Sequence, residues 1–259
     1  MNNAIVTGQT NLDGLGGPEL APGPALGGAN PVYIGTSLGA IVGDVFHATE
    51  PNLTASALNV GGARITNILL TSPAFSPPVI DGLAEAGIAQ GTPSFAQFFL
   101  IAQAVTDDAD PINYADQATS GALRGGTPAQ ILQQVHLVDN VVPPSTQFDL
   151  ALQHANGSAD FGQVDAIAVQ QLVVSQVVSP FAGSGFFEVP NASHGSILDP
   201  TSFPAATVGL VTQALTYVGT ALQTGTGTII DAGLRTPPVA PQVVEAIDNS
   251  GDVSHAVRF

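Results

Sequence analysis

The stretch Pro31-Val32-Tyr33-Ile34-Gly35-Thr36-Ser37-Leu38-Gly39-Ala40-Ile41-Val42-Gly43-Asp44-Val45-Phe46-His47-Ala48 decides the fold. Its first four residues form a short apolar run, consistent with a buried strand. The turn Gly35-Thr36-Ser37-Leu38-Gly39 follows at once, and Ala40 to Ala48 reads as a helix with small residues on one side. A strand feeding a sharp turn that opens a helix makes a serine at its centre project above the edge of a sheet. Gly35 and Gly39 suit such a turn, because a side chain at either is expected to crowd the strained backbone or the helix packing. With 29 glycines in the chain, Gly-x-Ser-x-Gly alone is a weak signal. The order of strand, turn and helix strengthens it over the plain alternative of a serine in a Gly-rich surface turn.

Upstream, residues 11–30 are rich in Gly, Pro, Ala and Leu and read as irregular chain. Downstream, Leu53 to Val60, Ile131 to Val138 and Phe186 to Pro190 are strand candidates. Helices are expected from Ser145, as a cap, to about Ala155, and from about Ala205 to Leu222. Strands alternating with helices imply an α/β fold with a mostly parallel sheet and flanking helices. Between two strands, Ile65, Ile68 and Leu69, then Phe95, Phe98, Phe99 and Ala102, have helical spacing. This stretch, about residues 64–120, is long for a simple connection and reads as a helical cap. The expected organisation is a domain over 1–230 and a C-terminal tail over 231–259.

Composition excludes several functions. The 259 residues carry four Arg, no Lys and twenty Asp and Glu, a formal charge of −16. Arg64, Arg124, Arg235 and Arg258 are too few and too scattered for a nucleic-acid footprint, and an anionic membrane surface is disfavoured for the same reason. With 44 % hydrophobic and 9 % charged residues, a globular chain is expected rather than a disordered one. No apolar run reads as long enough to cross a bilayer, and the first residues, Met1-Asn2-Asn3-Ala4, show no export signal. There is no Cys, and no His pair stands at ligand spacing, so neither metal nor cofactor is expected.

A serine hydroxyl needs a base, and the base needs an acid to fix its tautomer. In a strand–turn–helix site the order is serine, then Asp or Glu, then His, on loops after later strands. Of the histidines that follow, His136 falls inside a strand pattern, His154 on a polar helix face and His255 in the tail. His194 alone follows a strand in a small-residue loop, Asn191-Ala192-Ser193-His194-Gly195. Asp139 directly follows an apolar strand and precedes the turn Val142-Pro143-Pro144. Asp149, Asp160 and Asp165 lie further into helix or loop, and Asp199 reads as a cap of the next helix. Ser37, Asp139 and His194 are therefore the candidate catalytic residues, with the N–H of Leu38 as an oxyanion donor by position.

Tyr33-Ile34-Gly35-Thr36-Ser37-Leu38-Gly39-Ala40-Ile41-Val42-Gly43, with Asp110-Pro111-Ile112-Asn113-Tyr114-Ala115 and Gln134 through Asp139-Asn140-Val141-Val142-Pro143, resembles the α/β-hydrolases. In particular, it is similar to the C-terminal part of large bacterial extracellular lipases and esterases, with Ala40 where that family has a second Gly. Gln9-Thr10-Asn11-Leu12-Asp13 weakly resembles the helix before the family's nucleophile strand. The resemblance implies a serine ester hydrolase acting on a small-molecule or lipid ester through an acyl-enzyme, in the cell envelope or outside the cell. Only 36 residues precede Ser37, too few for the strands that such enzymes carry upstream. An exposed sheet edge is therefore expected, to be covered by self-association into a homo-oligomer or by a complementary upstream fragment. The alternative is a truncated, weakly active or inactive hydrolase-like binding or assembly module, which explains the short upstream segment equally well.

Overall fold

The computed structural model describes residues 31–167 and 174–235. Residues 11–30, the segment about Gln9 to Asp13, His255 and the expected tail beyond 235 lie outside them. Six strands form one parallel sheet: β1 (Val32–Thr36), β2 (Ala55–Asn59), β3 (Gln130–His136), β4 (Gly162–Val164), β5 (Ser175–Val177) and β7 (Gly185–Val189). Their order across the sheet is β1-β2-β3-β7-β4-β5, with β1 at one edge. A separate antiparallel pair joins β6 (Phe181–Ala182) to β8 (Thr228–Ile229).

Helices cover both faces, which a parallel sheet requires because its strands are apolar on both sides. On one face, α1 (Leu38–Thr49) and α6 (Pro144–Gly157) pack Ala40, Ala48, Phe148 and Ala151 onto Leu58, Ile131, Val135 and Phe186. On the other, α7 (Pro204–Thr224) packs Leu210, Ala214 and Tyr217 onto Ala57, Leu132, Phe187 and Val189. The alternation of Phe186 and Phe187 between the two cores follows from the two-residue period of a strand. The fold is an α/β sheet with flanking helices, as the alternation of elements implies.

Helix α6 begins at Pro144, with Pro143 at its cap, so Ser145 lies in the first turn instead of capping. Proline presets the helical φ there and forgoes an N–H that would have had no partner. Asp199 does not cap α7 either: Phe203 does, and Asp199 holds the backbone and hydroxyl of Thr201 in a turn. At 21 residues, α7 is long and apolar enough to cross a bilayer, so the reading that no stretch reaches that length is corrected. In this fold it is a core helix, with Leu210, Tyr217 and Ala221 buried on the sheet. The packed chain runs on past residue 230, because Leu234 fills the space beside Gly209 of α7 and is 2 % exposed.

Between β2 and β3 lie α2 (Ile65–Thr71), α3 (Ser76–Glu85), α4 (Pro93–Thr106) and α5 (Ala115–Ser120). Helix α5 packs on α1 and α6, but α3 buries no residue and α4 buries only Phe99. Phe99 is clasped by Phe95 and Phe98, at ring-centroid distances of 4.9 and 5.3 Å. One buried carboxylate organises this excursion. Asp110 accepts the N–H groups of Arg64 and Ile65 at the start of α2, that of Ile112 and the Gln103 amide of α4. A carboxylate at a helix start satisfies N–H groups that have no turn before them.

Candidate active site

Ser37 joins β1 to α1 with φ 55° and ψ −124°, a conformation that L residues avoid. Its N–H donates to the Asn59 carbonyl at 3.0 Å, while its own carbonyl accepts from Ala40 and Ile41 at 2.8 and 3.0 Å. The turn is thus pinned to β2 on one side and to the first turn of α1 on the other. Gly35 is obligatory, because a Cβ there would lie 2.5 Å from the Gly39 carbonyl oxygen and 2.6 Å from the Tyr33 ring. Gly39 is not: a Cβ there meets only the Tyr33 hydroxyl, at 3.8 Å. The second position with no room is Gly43, whose Cβ would overlap the Tyr33 ring at 2.2 Å. Tyr33 lies flat under α1 and donates its hydroxyl to the Gly39 carbonyl at 2.6 Å.

The structure brings Ser37, Asp139 and His194 together. His194 Nε2 is 2.8 Å from Ser37 Oγ, and His194 Nδ1 is 2.8 Å from Asp139 Oδ2. A carboxylate only accepts, so Nδ1 carries the proton toward Asp139 and Nε2 accepts from the serine hydroxyl. Asp139 is wholly buried, yet each of its oxygens is occupied. Oδ1 accepts the N–H groups of Val141 and Val142 at 2.8 and 3.0 Å, and Oδ2 accepts the Gln147 amide at 3.3 Å beside His194. Such donors stabilise a buried anion that burial alone would disfavour. The His194 side chain is 20 % exposed, so the site opens to solvent on the base's side. The Leu38 and Gly39 N–H groups, at the start of α1, have no preceding helical turn to donate to.

A second layer of polar side chains crosses the sheet beneath these residues. Thr36 Oγ1 donates to Asn59 Oδ1 at 3.0 Å, and Asn59 Nδ2 reaches Gln134 Oε1 at 3.0 Å and His136 Nε2 at 2.9 Å. Gln134 in turn donates to Gln213 Oε1 and the Leu210 carbonyl on α7. His136 Nδ1 lies 2.9 Å from the Ser193 carbonyl, which can only accept. His136 therefore donates from Nδ1 and accepts at Nε2, in its neutral form. Burial pushes its pKa down to about 4, against the pull of the Ser193 carbonyl and Asp139. His136 thus links the strand that leads to Asp139 with the loop that carries His194. Sequence reading placed His136 in the sheet but had no signal for this link, because the partners are 57 and 77 residues away.

His154, read from the sequence as lying on a polar helix face, instead points inward and is wholly buried. Its Nε2 meets Asp44 Oδ1 of α1 at 2.6 Å, and its Nδ1 meets Gln133 Oε1 at 3.2 Å. The pair fastens α6 to the helix that Ser37 opens. Asp44 escaped sequence reading because it stands alone in an apolar helix pattern. Among the remaining acids, Asp149 pairs with Arg64 at 3.2 Å, and Asp165 accepts from the Ser179 N–H. Neither is among the hydrogen-bonding partners of His194. Among the described residues, no group of three or more His, Asp or Glu side chains is placed to hold a metal ion.

No protein-family model matches the chain, and no curated protein does. Solved structures give distant likenesses. A puromycin-hydrolyzing peptidase of Mycobacterium tuberculosis is 16 % identical, with 63 % of this chain aligned to 18 % of that one at a TM-score of 0.37. An α/β hydrolase enzyme from a deep-sea metagenome library is 16 % identical over 73 % of this chain and 67 % of its own, at 0.36. An enol-lactonase of Burkholderia xenovorans is also 16 % identical, over 73 % and 68 %, at 0.34. The chain spans about a fifth of the length of the peptidases it is similar to. In this chain β1, the turn at Ser37 and α1 follow one another as strand, turn and helix at the edge of a parallel α/β sheet.

Proposed function

We propose that the protein is a serine hydrolase of carboxylic esters. The observation that carries this reading is the continuous hydrogen-bonded path from Ser37 Oγ through His194 to Asp139, with 2.8 Å at both steps. In this reading, His194 Nε2 takes the serine proton as Oγ attacks the ester carbonyl. Asp139 holds the Nδ1–H tautomer and stabilises the imidazolium that forms. The Leu38 N–H faces the oxyanion of the tetrahedral intermediate. His194 then returns the proton to the departing alcohol, leaving an acyl group on Ser37, and water activated by the same imidazole releases the acid.

In this reading α2 to α4 form the cap, and Phe95 and Phe98, packed around Phe99, offer an apolar wall for an acyl or aromatic group. The choice of an ester rests on the resemblance of the Ser37 turn and the Asp139 loop to those of lipases and esterases. The test is labelling by a fluorophosphonate probe alongside hydrolysis of a soluble p-nitrophenyl ester. Wild type labels and turns over, and Ser37→Ala loses the label and, with the nucleophile gone, about 10³-fold or more of kcat. Equal labelling of the two proteins overturns the assignment of Ser37.

A further inference from the structure

We propose that two copies of this chain associate through the open edge of the sheet, β1 pairing antiparallel with the β1 of a second copy. Among the described residues, β1 pairs with β2 alone, so its outer N–H and C=O groups face outward as a template for another strand. The side chains around this edge are apolar in all three layers. On the α1 face, Tyr33 of β1 and Phe46 of α1 pack with ring centroids 5.8 Å apart, and Phe46 and Val42 remain 37 % and 55 % exposed. Val32 packs against the α7 core, and Ile34, two residues on and hence on that same face, is 44 % exposed.

Helix α7 extends this surface. It lies across β1, β2 and β3. Gly209 abuts Ala232 and Leu234, and Arg235, just beyond them, sits 5.9 Å from the Phe187 ring of β7. That flank of the helix therefore faces the interior strands. At about 100° per residue, Val211 falls on the opposite flank, toward β1, and Leu222 and Leu215 turn progressively outward from it. In that order they are 38 %, 47 % and 57 % exposed.

Charge selects the occupant. Two molecules of net charge −16 repel wherever their acidic surfaces meet. Here β1 and the whole of α7 contain no charged residue, and the only one in α1, Asp44, is completely buried. A two-fold axis through this edge sets uncharged apolar surface on its own image, as an isologous interface requires. The edge runs about 20 Å along the helix stripe and about 30 Å across three layers, or on the order of 600 Å² per copy. Doubled, this is about 1,200 Å², the lower end for a specific interface. Such an interface is reversible, and it tightens with added salt as the repulsion between copies is screened.

The test uses the full 259-residue chain, which has no cysteine. Sedimentation analysis from about 1 to about 100 µM, at low and high salt, is expected to show a monomer–dimer equilibrium that salt shifts toward dimer. Val211→Glu, on a position 38 % exposed, is expected to weaken it about tenfold or more. The variant Ile34→Cys gives an independent readout: paired across the axis, its Cα atoms lie about 4.5–5.5 Å apart, within disulfide range. Oxidation is then expected to give a covalent dimer, whereas Leu100→Cys on α4, at 73 % exposure, gives none above background. A monomer under all conditions overturns the proposal. A dimer that cross-links through position 100 but not 34 overturns it as well.

Discussion

At the scale of single residues, the turn around Ser37 rests on Tyr33 as much as on its glycines. The ring of Tyr33 occupies the space that a Cβ on Gly35 or Gly43 would need, and its hydroxyl caps the Gly39 carbonyl. Gly35→Ala must therefore displace either the Gly39 backbone or the ring, and Gly43→Ala must displace the ring. Each is expected to cost about 2–4 kcal/mol, in the range of overpacked sites with no slack. Gly39→Ala meets nothing closer than 3.8 Å. In a helix it also gains up to about 1 kcal/mol of propensity, so it is expected to be neutral or stabilising. Urea unfolding of the three variants separates them, and a large loss for Gly39→Ala would contradict this account.

At the scale of elements, the base loop is held from below. Ser193, the residue before His194, gives its carbonyl to His136, which Asn59 fixes in turn and Thr36 follows at the end of β1. Three strands thus set one loop. His136→Phe keeps the bulk but leaves the Ser193 carbonyl and an Asn59 N–H without their partner, at about 1–3 kcal/mol each. Because displacement of about 1 Å at a reacting group costs on the order of 10² in rate, kcat is expected to fall with KM little changed. Ester turnover measured beside a thermal melt checks this. A variant that melts lower but labels Ser37 at the wild-type rate would show that His136 supports only the fold. Legibility follows the same division between local and distant. The strands β1, β2, β3 and β7 carry apolar runs that can be read off the chain, within two residues of their ends. The three-residue strands β4 and β5, Gly162-Gln163-Val164 and Ser175-Gln176-Val177, carry no such pattern, because tertiary pairing alone makes them strands. The same holds for the site. Ser37, Asp139 and His194 each follow a strand and are named by that context, whereas His136 and Asn59 act through partners far along the chain.

At the scale of the whole molecule, two buried groups of opposite kind shape the response to pH. Glu188, on β7, accepts from the Gln163 amide, and burial raises its pKa from 4.5 to about 7. Below pH 4.5, folded and unfolded chains both hold its proton. As pH rises, the unfolded chain ionises first, so stability is lost until about pH 7 and is then constant. A shift of this size corresponds to at most about 3 kcal/mol. His136 works in the other direction, its pKa lowered from 6.5 to about 4. Above pH 6.5 it is neutral in both states, and below that the unfolded chain takes the proton first, so stability falls toward pH 4. His47 adds to this acid limb, because burial also lowers its pKa well below the ordinary value. The net charge of −16 adds to the alkaline limb, since self-repulsion grows as acidic groups ionise. Between pH 4.5 and 6.5 the two histidines outweigh the one carboxyl, so stability is expected to peak close to neutral pH. Glu188→Gln keeps an acceptor for Gln163 and removes the titration. Urea unfolding at pH 5 and pH 8 is then expected to show that the variant's stability at pH 8 relative to pH 5 exceeds that of wild type by about 2–3 kcal/mol. If stability changes by the same amount in wild type and variant between those pH values, Glu188 is not the source of the alkaline limb.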